Sequence, residues 1–405
     1  FSSGIGIALI YFGCYEPIDH FLHPPTGAGG SALAAQNAMV ITFFHWGVHG
    51  WALYALVATV TAYFAYIEKL GFKMRSPLSV FLPAKRVAGR MGDCVDAFTI
   101  ISTIIAMVSN LGLGALLIQG GLSRLFVIFS TKEALFVVCI LLALFSMIIS
   151  AVNFQKGLAL FSRINILCLC CLLALVFLCG PTAHLMDALV QNIGDYLSQF
   201  IKRSFNLYIY QNAEQWRSLW TLFYWAWWVS WAPFVGLFIA RISRGRTIRQ
   251  LVLGVMFIPL AFTLLWLCLF GNTALDLILL QHHTALGNFS AQRPEMAVFS
   301  LLEMLPLAKV TVPVAILACF LMFFAPMDSG AEMVATLSLK NASSTQLPPA
   351  YLKIFWIIAT TLLTLGLFWS GNFVSIEIAV ILCALPFSAI LLLYIWALYS
   401  KLKSC

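Results

Sequence analysis

Residues 216–234 read WRSLWTLFYWAWWVSWAPF and contain half of the chain's twelve tryptophans. Amphipathic rings at headgroup depth are typical of a helix that enters a membrane, and we interpret Trp216 and Trp220 in this way. The other four continue two to three turns into the same apolar segment: Trp225, Trp227, Trp228 and Trp231. Leucine or valine would be the ordinary choice at that depth, so these rings indicate a function inside the membrane.

The rest of the chain has a composition suited to lipid. Of 405 residues, 62% are hydrophobic and 9% are charged, and the mean hydropathy is +0.96. A spanning helix needs roughly 20 apolar residues, because its backbone groups must be satisfied within the segment. Ten segments meet this requirement: 1–21, 37–67, 94–118, 133–152, 158–180, 216–240, 250–271, 307–338, 351–371 and 376–400. We therefore predict an all-α integral membrane protein surrounded by membrane lipid.

The basic residues concentrate in alternate connectors between these spans. One connector carries Lys69, Lys73, Arg75, Lys85, Arg86 and Arg90, and another carries Arg241, Arg244, Arg246 and Arg249. Simple alternation of the spans adds Lys156, Arg163, Lys340, Lys353, Lys401 and Lys403 to the same side. The positive-inside rule makes that side cytoplasmic, so the first span runs outward. We read the net charge of +8 as a topology signal and expect no nucleic-acid partner.

Five spans precede a long polar connector at 181–215, and five follow it. Because five is odd, the second set crosses the membrane in the opposite sense, which predicts an inverted repeat. The expected units are 1–180, the extracytoplasmic connector 181–215, and 216–405. In such carriers the first helix of each repeat lines the substrate site. The run 4–8, Gly-Ile-Gly-Ile-Ala, is either a helix break there or a small-residue face for packing.

A second aromatic set, Trp46, Trp51 and Tyr54, lies in the second span. A trimethylammonium head donates no hydrogen bond, so the faces of aromatic rings are its natural partners within a membrane. Each desolvated ring contributes roughly 2 kcal/mol. Two aromatic helices therefore predict a cation cage for a quaternary-ammonium compound.

Several motifs resemble, in the same order, those of the betaine/choline/carnitine transporters. They lie at 4–8, at Glu16, Pro17 and His20, and at 45–54, 110–114, 224–234, 240–249 and 328–330. The resemblance implies a bacterial inner-membrane carrier of twelve helices, usually a homotrimer, whose last ten helices form the core shared with the leucine-transporter fold. The chain begins with Phe1 inside an apolar segment, so we expect the natural protein to start earlier, with two further helices.

The resemblance also assigns residues to the substrate site. Its central aromatic box corresponds to Trp46, Trp51, Tyr54, Trp227, Trp228 and Trp231, with Trp225 along the same pathway. It implies an unwound stretch at 4–8, which adds Gly4, Ile5 and Gly6 to the predicted substrate-binding residues. We expect no cofactor and no bound metal ion. We expect the four arginines at 241–249 to anchor helix ends rather than to contact the substrate.

Placing a carboxylate in or near a membrane span costs free energy, so such residues are candidates for a function. Glu16, Asp96 and Asp328 are therefore predicted to be candidates for carrying a coupling proton. Each could instead cap a helix break or pair with a neighbouring base.

By comparison with sodium-coupled members of the family, this chain lacks hydroxyl ligands for a coupling sodium ion. Those members place hydroxyls where Ala325 and Pro326 stand, and a second threonine where Met107 follows Thr103. The pattern favours a proton-driven symporter that resembles the choline-uptake branch, with choline the first substrate and glycine betaine the next. The alternatives are a carnitine/butyrobetaine exchanger and a sodium-coupled betaine osmolyte carrier.

Two other classes explain the sequence less well. A membrane enzyme would need a metal-ligand cluster or a nucleophile–base pair, and neither stands out in the sequence. A channel would need repeated pore helices with charged or carbonyl rings rather than one aromatic cage. We therefore expect a carrier that is not an enzyme.

Overall fold

The computed structural model describes residues 2–152, 155–339 and 348–403. This part of the chain is helical, and no strand occurs in it. The α-helices are α1 Ser2–Leu22, α2 Ala32–Trp46, α3 Val48–Ala62, α4 Ala84–Val87, α5 Arg90–Leu125, α6 Lys132–Ala151, α7 Gln155–Cys179, α8 Thr182–Ser204, α9 Glu214–Trp216, α10 Phe223–Ile242, α11 Ile248–Leu279, α12 Thr284–Gln292, α13 Ala297–Met304, α14 Ala308–Leu337 and α15 Ala350–Lys403. Short π-helical turns at Tyr63–Ile67 and Arg217–Leu222 extend α3 and precede α10.

Within the described residues, nine helical segments are long and apolar enough to cross a membrane. The prediction of an all-α membrane protein is thereby confirmed, while the inverted repeat stays a prediction. The predicted first span corresponds to α1, which is not among the nine and carries Glu16, Asp19 and His20 in its second half.

The last two predicted spans are the two halves of α15, Ala350–Ser370 and Val374–Lys403. A methyl group placed on Gly112 of α5 would lie 4.0 Å from Thr364 and 2.6 Å from Ile376. Along a straight helix, twelve residues span about 18 Å. The helix α15 therefore bends between Thr364 and Ile376, and both residues lie near Gly112 of α5.

The spans form an inner and an outer layer. In the apolar stretches of α5 and of the span that contains α10, 78% of the residues are buried. In those of α11 and the first half of α15, 28% and 33% are buried. The outer helices expose apolar side chains such as Ile258 and Leu385, at 75% and 76%. Such surfaces are stable in lipid and would be unfavourable in water.

Several basic residues of the predicted cytoplasmic side meet at one end of the helix bundle. Lys401 pairs with Glu68 at 3.0 Å, and Arg241 pairs with Glu332 at 3.3 Å. The Tyr66 hydroxyl donates to the carbonyl of Arg241 at 3.1 Å, which joins the two basic connectors. Lys340 and the side chain of Lys156 lie outside the described residues.

The predicted helix break at 4–8 is wrong for this structure, because α1 is helical from Ser2 onward. Gly6 instead allows close packing on α14: a Cβ at this position would lie 3.3 Å from the sulfur of Met322. The second span is the one that is interrupted, at Gly47 between α2 and α3. There the hydroxyl of Tyr196 from α8 accepts the backbone N–H of Val48 at 3.0 Å.

Candidate substrate-binding site

Trp228 of α10 is the centre of a buried aromatic group. Its ring is fully buried, and its centroid lies 5.9 Å from that of Trp46, 5.8 Å from that of Trp51 and 4.9 Å from that of Tyr54. The indole N–H donates to the carbonyl of His45 at 2.9 Å. These separations are those of rings in direct contact, so a cation enters between them only if Trp228 moves.

Gly50 of α3 makes this packing possible. A Cβ at Gly50 would lie 2.1 Å from Cε2 of Trp228, a distance that no real side chain tolerates. The indole therefore lies directly on the backbone of α3, between the sequence positions of Trp46 and Trp51. This use of glycine follows from close approach and not from an unusual backbone conformation.

Trp227 and Trp231 face a different space, although the prediction placed them in the same box as Trp228. Their rings stack at 5.8 Å, and they line a narrow gap with Ile5, Gly6 and Asn110. Consecutive helix residues point about 100° apart, so Trp227 and Trp228 cannot line one side together. The structure places the six predicted residues in two groups, and their common role in substrate binding stays a prediction.

The gap beside Trp227 and Trp231 holds only about 10 Å³, roughly the room for one water. Within the described residues, the indole N–H groups of these two tryptophans are buried without a hydrogen-bond partner. Buried donors of this kind are costly, and an oxygen atom of a ligand would satisfy them. Ile5 and Gly6 border this gap as predicted, while the surroundings of Gly4 lie outside the description of side-chain contacts.

We expect Gly6→Leu to reduce uptake at least about tenfold while the protein still inserts in the membrane. The leucine side chain would meet Met322 and fill the gap beside Trp227. The matched control is Gly366→Leu, since a Cβ at that helical glycine meets no atom within 4 Å. Uptake by Gly6→Leu that equals uptake by the control would show that the gap is not used in transport.

Trp225 lies apart from both groups. Its ring contacts Phe44 of α2 at 5.7 Å and His49 of α3 at 5.4 Å. The structure therefore does not bring it into the aromatic site, and its place along the substrate pathway stays a prediction.

Glu16 is the centre of a buried polar network that includes the indole N–H of Trp46. Its Oε1 accepts from Nδ1 of His45 at 2.6 Å and from Nε2 of His20 at 3.3 Å. Its Oε2 accepts from the indole of Trp46 at 2.7 Å and from the hydroxyl of Tyr224. A carboxylate has about four acceptor sites, and here all four are occupied.

The protons in this network can be assigned from its geometry. An indole N–H only donates, so Nδ1 of His20 must accept the N–H of Trp216 at 3.3 Å. The proton of neutral His20 is therefore on Nε2, where it faces Glu16. His20, Trp46 and Tyr224 therefore donate to the carboxylate, and Nδ1 of His45 lies 2.6 Å from its Oε1. Glu16, His20 and His45 are residue types that hold metal ions. The atoms with which these three side chains face one another are already used in hydrogen bonds.

Trp216 and Trp220 also contact this network, while their place in an interfacial belt stays a prediction. Trp220 is 5% exposed, and its indole donates to Asp19 at 3.0 Å. Both rings pack on His20, with centroid distances of 5.3 and 4.4 Å. The i,i+4 spacing of Glu16 and His20 was a sequence signal for part of this contact.

The other two coupling candidates are paired with bases. Asp96 accepts two hydrogen bonds from the guanidinium of Arg75, at 2.6 and 2.7 Å. Oδ1 of Asp328 lies 2.7 Å from the ammonium of Lys353 and also accepts from Ser150 at 2.7 Å. Lys353 is 4% exposed and was predicted only as a marker of topology. The pairing with a base that the sequence left open is therefore present at both aspartates.

The fold is that of an integral membrane protein whose spanning helices enclose a buried aromatic group. The family model described as "BCCT, betaine/carnitine/choline family transporter" matches residues 1–405. The chain therefore belongs to this family, and it is a multi-pass inner-membrane transporter of the bacterial type and not an enzyme.

Three relatives show the range of proteins to which this chain is similar. It is 50% identical to the osmo-independent choline transporter BetT1 of Acinetobacter baylyi, with all of this chain and 77% of the relative covered. It is 40% identical to a glycine betaine transporter of the same organism and 39% identical to the high-affinity choline transport protein of Escherichia coli. All of this chain aligns with these two, and it spans 60% and 59% of their lengths.

Proposed function

We propose that this protein takes up a quaternary-ammonium compound, with choline the preferred substrate and glycine betaine the next. The observation that supports this proposal is the buried contact of Trp228 with Trp46, Trp51 and Tyr54 inside the membrane. Four ring faces supply the attraction that a trimethylammonium group needs where water is excluded. The 50% identity to a relative named as a choline transporter supports choline as the first choice.

Binding in this proposal begins with a movement of Trp228 away from the rings that it now contacts. The cation then takes the position between Trp228 and the aromatic side chains of α2 and α3. Glu16 supports this arrangement from behind, since it holds the indole N–H of Trp46 at 2.7 Å. The carboxylate acts through Trp46 and is a positioning residue in this proposal.

The driving force is proposed to be a proton gradient rather than a sodium gradient. Ala325 and Pro326 offer no side-chain oxygen, and the thioether of Met107 packs on Gly330, whose added Cβ would lie 3.0 Å from its sulfur. The hydroxyl of Thr103 is used to donate to the carbonyl of Thr99 at 2.8 Å. A sodium ion would lack most of its oxygen ligands at these positions.

Asp328 is the carboxylate that we assign to the coupling proton. It borders a cavity at the end of the bundle that carries the basic connectors, whereas Glu16 is enclosed by four donors. Only Oδ1 of Asp328 has partners among the described residues, which leaves Oδ2 free to accept a proton. A membrane carboxylate with access to a cavity is a typical proton carrier.

The test is uptake of labelled choline into proteoliposomes in which sodium, proton and preloaded-substrate gradients are imposed separately. We expect accumulation driven by an inward proton gradient, with less than about a twofold change when sodium replaces potassium. Accumulation driven by sodium at constant pH would contradict the proposed coupling. Strict dependence on preloaded substrate would identify an exchanger instead.

A carboxylate-bearing substrate is the second candidate. It is favoured by the unpaired indole N–H groups of Trp227 and Trp231, which would suit the oxygens of glycine betaine or carnitine. The same vesicles, supplied with labelled choline, glycine betaine and carnitine in turn, decide between the substrates by their relative uptake rates.

A further inference from the structure

The break at Gly47 separates the two helices that carry aromatic residues of the proposed substrate site. Trp46 is the last residue of α2, whereas Trp51 and Tyr54 lie on α3. The ψ angle of Gly47 is −146°, far from the helical value of about −42°. The backbone geometry at this break therefore decides how the rings of α2 and α3 are placed relative to Trp228.

Two backbone groups beside the break are bonded by side chains from other helices. In an unbroken helix, the N–H of Val48 would donate to the carbonyl four residues earlier, and the carbonyl of His45 would accept from the N–H four residues later. Here the N–H of Val48 donates to the hydroxyl of Tyr196 at 3.0 Å. The carbonyl of His45 accepts the indole N–H of Trp228 at 2.9 Å. Tyr196 and Trp228 therefore bond to the two sides of the same break.

Tyr196 is closely enclosed at this place. It is only 2% exposed, and its ring packs on Phe43 of α2 at 6.2 Å and on Phe200 of α8 at 5.7 Å. A Cβ at Gly47 would lie 2.4 Å from the hydroxyl oxygen of Tyr196, so a larger residue at position 47 would displace that hydroxyl. The hydrogen bond from Val48 therefore requires both the glycine and the tyrosine.

Helix α8, which carries Tyr196, is also bonded to the span on both sides of the break. Before the break, the guanidinium of Arg203 donates to the side-chain oxygen of Asn37 at 2.8 Å. After the break, the hydroxyl of Ser204 lies 3.1 Å from Nε2 of His49. Because α8 contacts both α2 and α3, it holds these two helices at a fixed angle, and Tyr196 bonds to the point where they meet.

We propose that Tyr196 is a positioning residue for substrate binding. Its hydroxyl fixes the break, and the break fixes the carbonyl of His45 that holds Trp228 against the aromatic side chains of α2 and α3. Tyr196 acts through the backbone and not by contact with the cation. This inference rests on the proposed function, because the rings that Tyr196 positions are those of the proposed choline site. It makes α8, a helix of the predicted extracytoplasmic connector, part of the binding apparatus.

The experiment measures equilibrium binding of labelled choline to purified protein in nanodiscs. Tyr196→Phe keeps the ring but removes the acceptor of the Val48 N–H, and it is expected to raise the choline Kd about tenfold. The matched control is Tyr394→Phe, since Tyr394 is also buried and its hydroxyl also bonds to the backbone, at the carbonyl of Met74 in the connector between α3 and α4. The control is expected to change the Kd less than about twofold.

A double substitution separates positioning from a general loss of stability. Trp228→Phe removes the indole N–H that bonds to His45, so the position of that carbonyl no longer affects the ring at 228. In the Trp228→Phe background, Tyr196→Phe is therefore expected to raise the Kd less than about threefold. A rise of about tenfold in both backgrounds would overturn the proposed action through His45.

The possible results also distinguish this role from the proposed function. Choline binding by the wild-type protein, together with an unchanged Kd in well-folded Tyr196→Phe, would overturn the positioning role and leave the function standing. Absence of choline binding by the wild-type protein would instead refute the proposed function. If Tyr196→Phe does not fold, Ser204→Ala removes the contact of α8 with His49 and leaves Tyr196 in place. That variant is expected to raise the Kd about threefold, and an unchanged value would overturn the role of α8.

Discussion

Replacing Trp228 with alanine is expected to weaken choline binding about thirtyfold, which corresponds to roughly 2 kcal/mol. The substitution removes the ring that contacts Trp46, Trp51 and Tyr54 together, so the enclosure of the cation is lost. Trp228→Phe keeps a ring face and is expected to lose less. The measurement is equilibrium binding of labelled choline to purified protein in nanodiscs, repeated with glycine betaine.

The control for Trp228 is Trp369→Ala, because Trp369 is 85% exposed on the outer side of α15. It reports how much a lost tryptophan affects the protein in general. If Trp228→Ala is well folded and binds choline and glycine betaine as tightly as this control does, then the aromatic site is not the substrate site.

Glu16→Gln is expected to destabilise the folded protein by about 2–5 kcal/mol and to reduce choline uptake strongly. The amide keeps one acceptor oxygen and places an NH₂ group against donors. At least one of the groups from His45, Trp46 and Tyr224 then loses its partner in a fully buried place. Because Trp46 belongs to the aromatic site, the substitution is expected to change binding as well as stability.

Thermal unfolding in detergent and choline binding should be measured on the same samples of this variant. Glu133→Gln is the matched control, since Glu133 is exposed at the start of α6 and its loss should change stability by less than about 0.5 kcal/mol. Wild-type stability in Glu16→Gln would mean that the four-donor network does not hold α1, α2 and α10 together. Normal stability with abolished proton-driven uptake would return Glu16 to the role of proton carrier.

Membrane insertion was accessible from sequence, and the cation cage stays a prediction from it. The need for about 20 apolar residues acts on each segment alone, so hydropathy identifies the spans without knowledge of their neighbours. The aromatic residues at 46–54 and 224–231 indicated a cation site because such rings have little other use at that depth. The same reasoning could not say which rings meet, since that depends on the rotation of one helix against another.

Tertiary packing alone decided where the chain bends. The glycine-bearing run at 4–8 continues as a helix and packs on Met322 at Gly6, whereas α2 ends at Gly47, where Tyr196 from a distant helix supplies a partner for Val48. Both places contain glycine, so the sequence alone does not show which of them interrupts a helix. The difference lies in a contact across 148 residues.

Hydrophobicity therefore determined that this chain spans a membrane, and its aromatic residues led to the prediction of a quaternary-ammonium ligand. The tertiary structure decided that Trp228 joins α2 and α3, that Trp227 faces α1, and that Glu16 gathers donors from residues as distant as Tyr224. In lipid, one apolar helix surface resembles another, so hydropathy does not select neighbours. Close packing at glycines and buried hydrogen bonds make that selection, and both depend on residues far apart in the chain.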